Sequence, residues 1–174
     1  MTTTPIASVK AGRHRCTRPR TLHLIDLENL LGGRIDPHAV ATLWNHYREL
    51  TAMRWDDHVI VAVSRRHALD TFTALPATVQ RVVGPNSPDG ADHALLDAID
   101  IDWAARRFGQ VIVATGDHIF TDTARRLAAT GLQLVQVLGL GYTATDLYHQ
   151  CPTQLHLPTP RRRAPHPVAA AAAA

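Results

Sequence analysis

Short apolar runs alternate with amphipathic stripes between residues 21 and 157. Residues 22–25 (Leu-His-Leu-Ile) form a strand-like run that gives out into the polar stretch Asp26-Leu27-Glu28-Asn29, read as a loop. Asp36-Pro37 then supplies an N-cap and a proline suited to the first helical turn. Val40, Leu43, Trp44, Tyr47 and Leu50 follow at helical spacing. Residues 59–63 are apolar throughout and predict a second strand, with a short helix over 65–75 and a third strand over 79–83. One helix is expected from 87 to 107, a fourth strand at 111–114 and a helix over 119–129 stopped by Gly131. A fifth strand at 132–138 and a last helix at 145–150 complete the pattern.

Strands apolar on both faces, alternating with helices, mean a mainly parallel sheet covered on both sides. The fold class expected is therefore α/β, a Rossmann-like three-layer α/β/α architecture around a five- or six-stranded sheet. With right-handed crossovers and strand order 3-2-1-4-5, the first and fourth strands are neighbours where the winding reverses. Ligands of such sheets bind beyond the carboxyl ends of the strands at that switch point.

Charge divides the 174 residues into three parts. Residues 1–20 carry five basic residues and no acid, and read as a disordered arm; 158–174, with Arg161, Arg162 and Arg163, read as a disordered Pro/Arg/Ala-rich tail. Residues 21–157 are expected to form one domain, in which all 15 acids outnumber the ten remaining basic residues. Basic ends on an acidic core suit polyanion binding by the arms and metal binding by the core, although basic tails also serve solubility. Cys16 and Cys151 lie too far apart in sequence for a zinc-type pair, which favours a reducing, cytoplasmic setting. No apolar run is long enough to span a bilayer, and no secretion signal is expected at the start.

The candidate chemistry lies in three carboxylates. Asp26 follows the first strand and Asp117 the fourth, so both open on the switch-point crevice. Each also has a plainer role, Asp26 in a turn and Asp117 as a helix N-cap. Asp92 stands three and four residues before Leu95 and Leu96, on the face expected to point at the sheet, where a carboxylate needs a partner or a metal. Asp89 and Asp97 fall in the first turn or off that stripe and read as dipole-friendly or solvated acids. Three converging acids repel one another unless a divalent cation such as Mg²⁺ or Mn²⁺ relieves them. Such a cation polarises a phosphoryl oxygen and acidifies bound water. Ser64, Arg65 and Arg66, at the end of the second strand, are candidate phosphate contacts. Trp44, Tyr47 and Trp103 read as core, His93 and His118 as chance neighbours of the acids, and Gly139-Leu140-Gly141 as a turn.

Leu24-Ile25-Asp26-Leu27-Glu28-Asn29, Gly90-Ala91-Asp92-His93-Ala94-Leu95-Leu96, and Val113-Ala114-Thr115-Gly116-Asp117 with Phe120 together resemble the motifs of the NYN domain family, which are PIN-like nucleases. The resemblance covers roughly residues 20–150. It implies a PIN-like fold and a metal-dependent endoribonuclease, with Asp26, Asp92 and Asp117 as catalytic metal ligands. Asn29 would orient the first acid or a phosphate, and Thr115 keeps the hydroxyl of the last motif. One departure stands out: the family's last motif carries a second acid where this chain has Ile119. That departure motivates an alternative, an RNA-binding or adaptor module of the same fold with weak or no catalysis. A signalling or small-nucleotide domain of this sheet class is the third reading. RNA is the expected partner, with DNA and a homodimer left open.

Overall fold

The computed structural model describes residues 19–33 and 35–158. The basic arm up to residue 18 and the tail from 159 lie outside the described residues. Six strands form a single all-parallel sheet: β1 (Thr21–Asp26), β2 (His58–Ser64), β3 (Gln80–Gly84), β4 (Gln110–Ala114), β5 (Gln133–Leu138) and β6 (Thr153–His156). Their order is β3-β2-β1-β4-β5-β6. This is the order expected from the pattern, extended by one edge strand, and β1 and β4 are neighbours at the reversal point.

Seven helices flank the sheet: α1 (Leu27–Leu31), α2 (Pro37–Thr51), α3 (Ala68–Ala74), α4 (Gly90–Asp97), α5 (Ile101–Arg107), α6 (Thr121–Ala129) and α7 (Thr145–Gln150). Alternate strand residues feed two cores. Leu22, Leu24, Ala62, Val111 and Val113 pack with Leu95, Phe108, Phe120, Leu127 and Leu147 from α4–α7 and their flanks. Ile25, Val61, Val63, Ile112 and Val137 pack on the other face with Leu27, Leu30, Val40, Trp44 and Tyr47 from α1 and α2. Burial on both faces explains why these strands read as continuous apolar runs. Trp44 and Tyr47 are core residues, as expected, and Trp103 packs edge-on against Phe108.

Three local readings change. The stretch after β1 is the short helix α1, capped by the Asp26 side chain and ended by Gly32 in the left-handed conformation. The single helix expected over 87–107 is two, because Asp100 accepts from Trp103 N and starts α5 afresh. Arg20, assigned to the arm, belongs to the domain: its Nε donates to Asp56 O at 2.6 Å and its guanidinium lies over Phe108. Among the described residues, no helix is long and apolar enough to cross a membrane.

Candidate metal centre

The register of the sheet determines where the acids emerge. Ile25 pairs with Ala114, so the next residues along, Asp26 and Thr115, lie side by side at the carboxyl ends of β1 and β4. Ser64 and Gly84 pair at the ends of β2 and β3. Gly84 lets α4 come in close: a Cβ there would lie 2.1 Å from Gly90 O. That contact brings the first turn of α4 over the strand ends.

The result is a crevice of about 170 Å³ lined by Asp26, Glu28, Asn29, Ser64, Arg66, Asn86, Ser87, Asp89, Asp92 and Asp117, with the Gly90-Ala91 backbone as one wall. Five acids thus face one arginine. Asp89, Asp92 and Asp117 each offer a carboxylate oxygen within 4.8 Å of the other two. Two of the three expected acids, Asp92 and Asp117, fall in this group, and its third member is Asp89. Asp89 is exposed, in keeping with a solvated acid, yet it also joins this group: it sits at the N-cap of α4 without capping it. Its φ is +53° and its side chain accepts no capping hydrogen bond. An aspartate held in the left-handed region costs about 1 kcal/mol. Here its carboxylate is directed to the crevice.

Asp26 lines the same crevice from below and is only 3% exposed. Its Oδ1 accepts from Asn29 N at 3.1 Å and its Oδ2 from Thr115 Oγ1 at 2.9 Å. Burial nevertheless holds its carboxyl above the ordinary value, although the Asn29, Thr115 and Asp92 hydrogen bonds pull the other way. Asp92 is half-buried and meets Asp26 directly. Burial, the charge and hydrogen bond of Asp26, and the charges of Asp117 and Asp89 push the Asp92 carboxyl up to about 8. Near neutral pH the pair therefore shares a proton, with Asp92 as the donor. Asp117 is both cap and site residue: its Oδ1 accepts from Ile119 N at 3.0 Å, and His118 Nδ1 lies 3.0 Å from the same oxygen.

The remaining expected residues divide. Asn29 is a bracket, with Oδ1 accepting from Gly116 N at 2.9 Å and Nδ2 donating to Tyr142 O at 3.2 Å. Thr115 lies beneath the crevice, fully buried, and its hydroxyl serves Asp26. Ser64 and Arg66 line the crevice, whereas Arg65 is exposed outside it. Glu28, undervalued in the sequence, accepts from Ser64 N at 2.7 Å and meets Arg66 at 3.5 Å. Burial pushes the Glu28 carboxyl up, but the Ser64 hydrogen bonds and the His67 and Arg66 charges outweigh it and hold the group below its ordinary value. Ile119 packs against the core around Phe120, and Asp122 pairs with Arg125 at 3.0 Å on the outside of α6. Neither contributes to the crevice.

A larger pocket of about 540 Å³ lies between α1, α2 and the segment after β5, lined by Leu30, Leu43, Leu140 and Leu157 among others. Its single acid, Asp36, caps α2. Among the described residues, the acids grouped closely enough to hold a cation are Asp89, Asp92 and Asp117 in the switch-point crevice. No protein-family model matches this chain, and no curated protein matches it.

An all-oxygen donor set fits a hard divalent cation better than zinc, which favours nitrogen and sulfur. The raised Asp92 carboxyl has its cause in burial and in the same crowding of acids.

Proposed function

We propose that this protein is a metal-dependent endoribonuclease of the NYN, PIN-like kind, hydrolysing phosphodiester bonds with Mg²⁺ or Mn²⁺ held at the switch-point crevice. The observation that carries this reading is the convergence of Asp89, Asp92 and Asp117 at the junction of β1, β4 and α4. Asp89, Asp92 and Asp117 would hold the cation, and Asp26 would act from behind by hydrogen bonding to Asp92. The cation would supply Lewis acidity toward a phosphoryl oxygen and a more acidic water. Arg66, whose backbone N–H is anchored by Asn86 Oδ1 at 2.8 Å, supplies positive charge for a phosphate at the rim. The basic arms add salt-sensitive affinity for the polyanion.

Labelled RNA and DNA are incubated with the full chain with and without Mn²⁺, and wild type is compared with Asp92→Asn and Asp117→Asn, each checked for folding by circular dichroism. Cleavage that needs Mn²⁺ and disappears in both folded variants is expected. Undiminished cleavage by both would remove the proposal.

The second reading, a non-catalytic RNA-binding module, is favoured by one observation. Ile119 stands where the family's second acid is expected, and its side chain is committed to the core. RNA binding without cleavage after long incubation in Mn²⁺ would select it.

A further inference from the structure

The segment linking β5 to α7, residues 139–144, is held to the crevice by its backbone. Leu140 N donates to Leu30 O at 2.9 Å, Asn29 Nδ2 donates to Tyr142 O at 3.2 Å, and Ala144 N donates to Gly116 O at 2.7 Å. Two glycines make the approach closer than any side chain would allow. A Cβ on Gly116 would lie 2.0 Å from Tyr142 O, and one on Gly141 would lie 2.3 Å from Asn29 O. The partners in these contacts are site residues or their neighbours: Asn29 lines the crevice, and Gly116 immediately precedes Asp117. Gly141, read with Gly139 as a simple turn in the sequence, thus joins Gly116 in fixing this loop against the neighbours of the carboxylates.

On this fixed backbone the Tyr142 side chain stands 74% exposed, and its ring stacks on no other aromatic among the described residues. Single exposed aromatics are ordinary on protein surfaces. Trp55, 96% exposed, is one such residue, in the turn before β2 at the opposite end of the strands. Tyr142 differs in its placement. Its carbonyl is held by Asn29 and lies against Gly116, the residue before Asp117, on the β4–β5 side of the crevice, while Arg66 and Asn86 line it on the β2–β3 side. A guanidinium beyond β2, acids at the β1–β4 junction and an exposed aromatic beyond β5 follow one another in strand order, as a phosphate contact, a cation site and a base platform would along a single polynucleotide strand.

We propose that Tyr142 is a stacking platform for an unpaired base of a single-stranded polynucleotide crossing the crevice, next to the phosphate presented to the acids. The inference rests on the nucleic-acid reading above and adds to it the strandedness of the substrate. A base still stacked within a duplex has no free face to offer, so the platform selects single strands, loops or ends. Stacking of this kind tolerates any base and does not itself separate RNA from DNA. Tyr142 is here a positioning residue, not a catalytic one.

The test uses the full chain in EDTA, so that binding is read without chemistry. Fluorescence anisotropy follows labelled single-stranded RNA and DNA of about 12 nucleotides and a blunt duplex of the same sequence. Tyr142→Ala is expected to weaken single-strand binding about tenfold, within the range for loss of one stacked base. Tyr142→Phe should stay within about twofold of wild type, because the ring and not the hydroxyl does the stacking. Duplex binding should not respond to either change. Equal affinities for wild type and Tyr142→Ala, a loss that Tyr142→Phe does not rescue, an equal loss on the duplex, or no single-strand binding by wild type would each overturn the platform. Mn²⁺-dependent cleavage with no dependence of binding on Tyr142 removes the platform and leaves the nuclease. Tyr142-dependent binding without cleavage removes the nuclease and leaves the platform.

Discussion

Thr115 donates its hydroxyl to Asp26 Oδ2 at 2.9 Å, joining β4 to β1 through a buried bond between residues 89 apart in sequence. With Asn29 N on the other oxygen, this bond satisfies a carboxylate that burial would otherwise disfavour. Thr115→Val keeps the shape and strands the acceptor. We expect it to cost about 1–3 kcal/mol in urea denaturation. Thr115→Ser, which restores the donor, should recover most of the loss. Equal stability of wild type and Thr115→Val would mean that the bond contributes nothing net.

The Asp26–Asp92 pair gives the metal-free protein a pH dependence of definite sign. The Asp92 carboxyl is raised from 3.8 to about 8, and Asp26 is raised as well. The folded state therefore binds more protons than the unfolded chain between these values. Stability is fully present below about 4 and declines as pH rises toward about 8. In EDTA the protein should melt at a lower temperature near pH 8 than near pH 5, and Asp92→Asn should flatten that slope. Mn²⁺ competes with the shared proton, so its stabilising shift should be larger at the higher pH. A slope as steep in Asp92→Asn as in wild type would place its origin elsewhere.

Asp89 and Asp97 lie at opposite ends of α4 and look alike in the sequence, yet only Asp89 belongs to the acidic group. Removing one carboxylate of three should weaken Mn²⁺ binding, measured by calorimetry, by about tenfold or more for Asp89→Asn. Asp97→Asn should leave it unchanged. Equal affinities in both variants would show that the cation does not use Asp89.

Much of this arrangement was legible in the chain because it rests on period. The apolar runs that became β1, β2 and β4 are buried on both faces, and their alternation with helices gives the strand order. Asp26 and Asp117 could be placed at one crevice from that order alone. The features that escaped are short or backbone-driven. α1 has five residues and β6 four, too few for a period to emerge. In α1 the signal lay in the caps, Asp26 ahead and Gly32 behind. That Asp89 joins the acidic group was not legible, because it depends on the left-handed backbone at this residue and on Asp117 arriving from a separate strand. The role of Asn29 as a bracket depends on Gly116 and Tyr142, brought to it only by the packed sheet.

Cys151 is buried beside Leu147, and burial pushes its thiol up to about 11. A thiol that stays protonated and covered reacts slowly. In the native protein at about pH 8, iodoacetamide should leave Cys151 unmodified, as read by peptide mass spectrometry, and should label it once urea unfolds the chain. Rapid native labelling would show that α7 opens readily.

The position of α4 depends on Gly84, and so does the cation site. A Cβ at this residue would lie 2.1 Å from Gly90 O and 2.5 Å from Ala91 N. Both are backbone atoms, so no rotamer change relieves the clash and the first turn of α4 must move. That turn carries Asp89 and Asp92, whereas Asp117 sits on the separate β4 end and would stay behind. Gly84→Ala should therefore cost about 1–3 kcal/mol of stability and weaken Mn²⁺ binding together. Gly131→Ala is the control. It has open space around it but φ +88°, so it should cost about 1 kcal/mol without touching cation affinity. A Gly84→Ala protein that binds Mn²⁺ as wild type does would show that the close approach of β3 and α4 does not set the spacing of the acids.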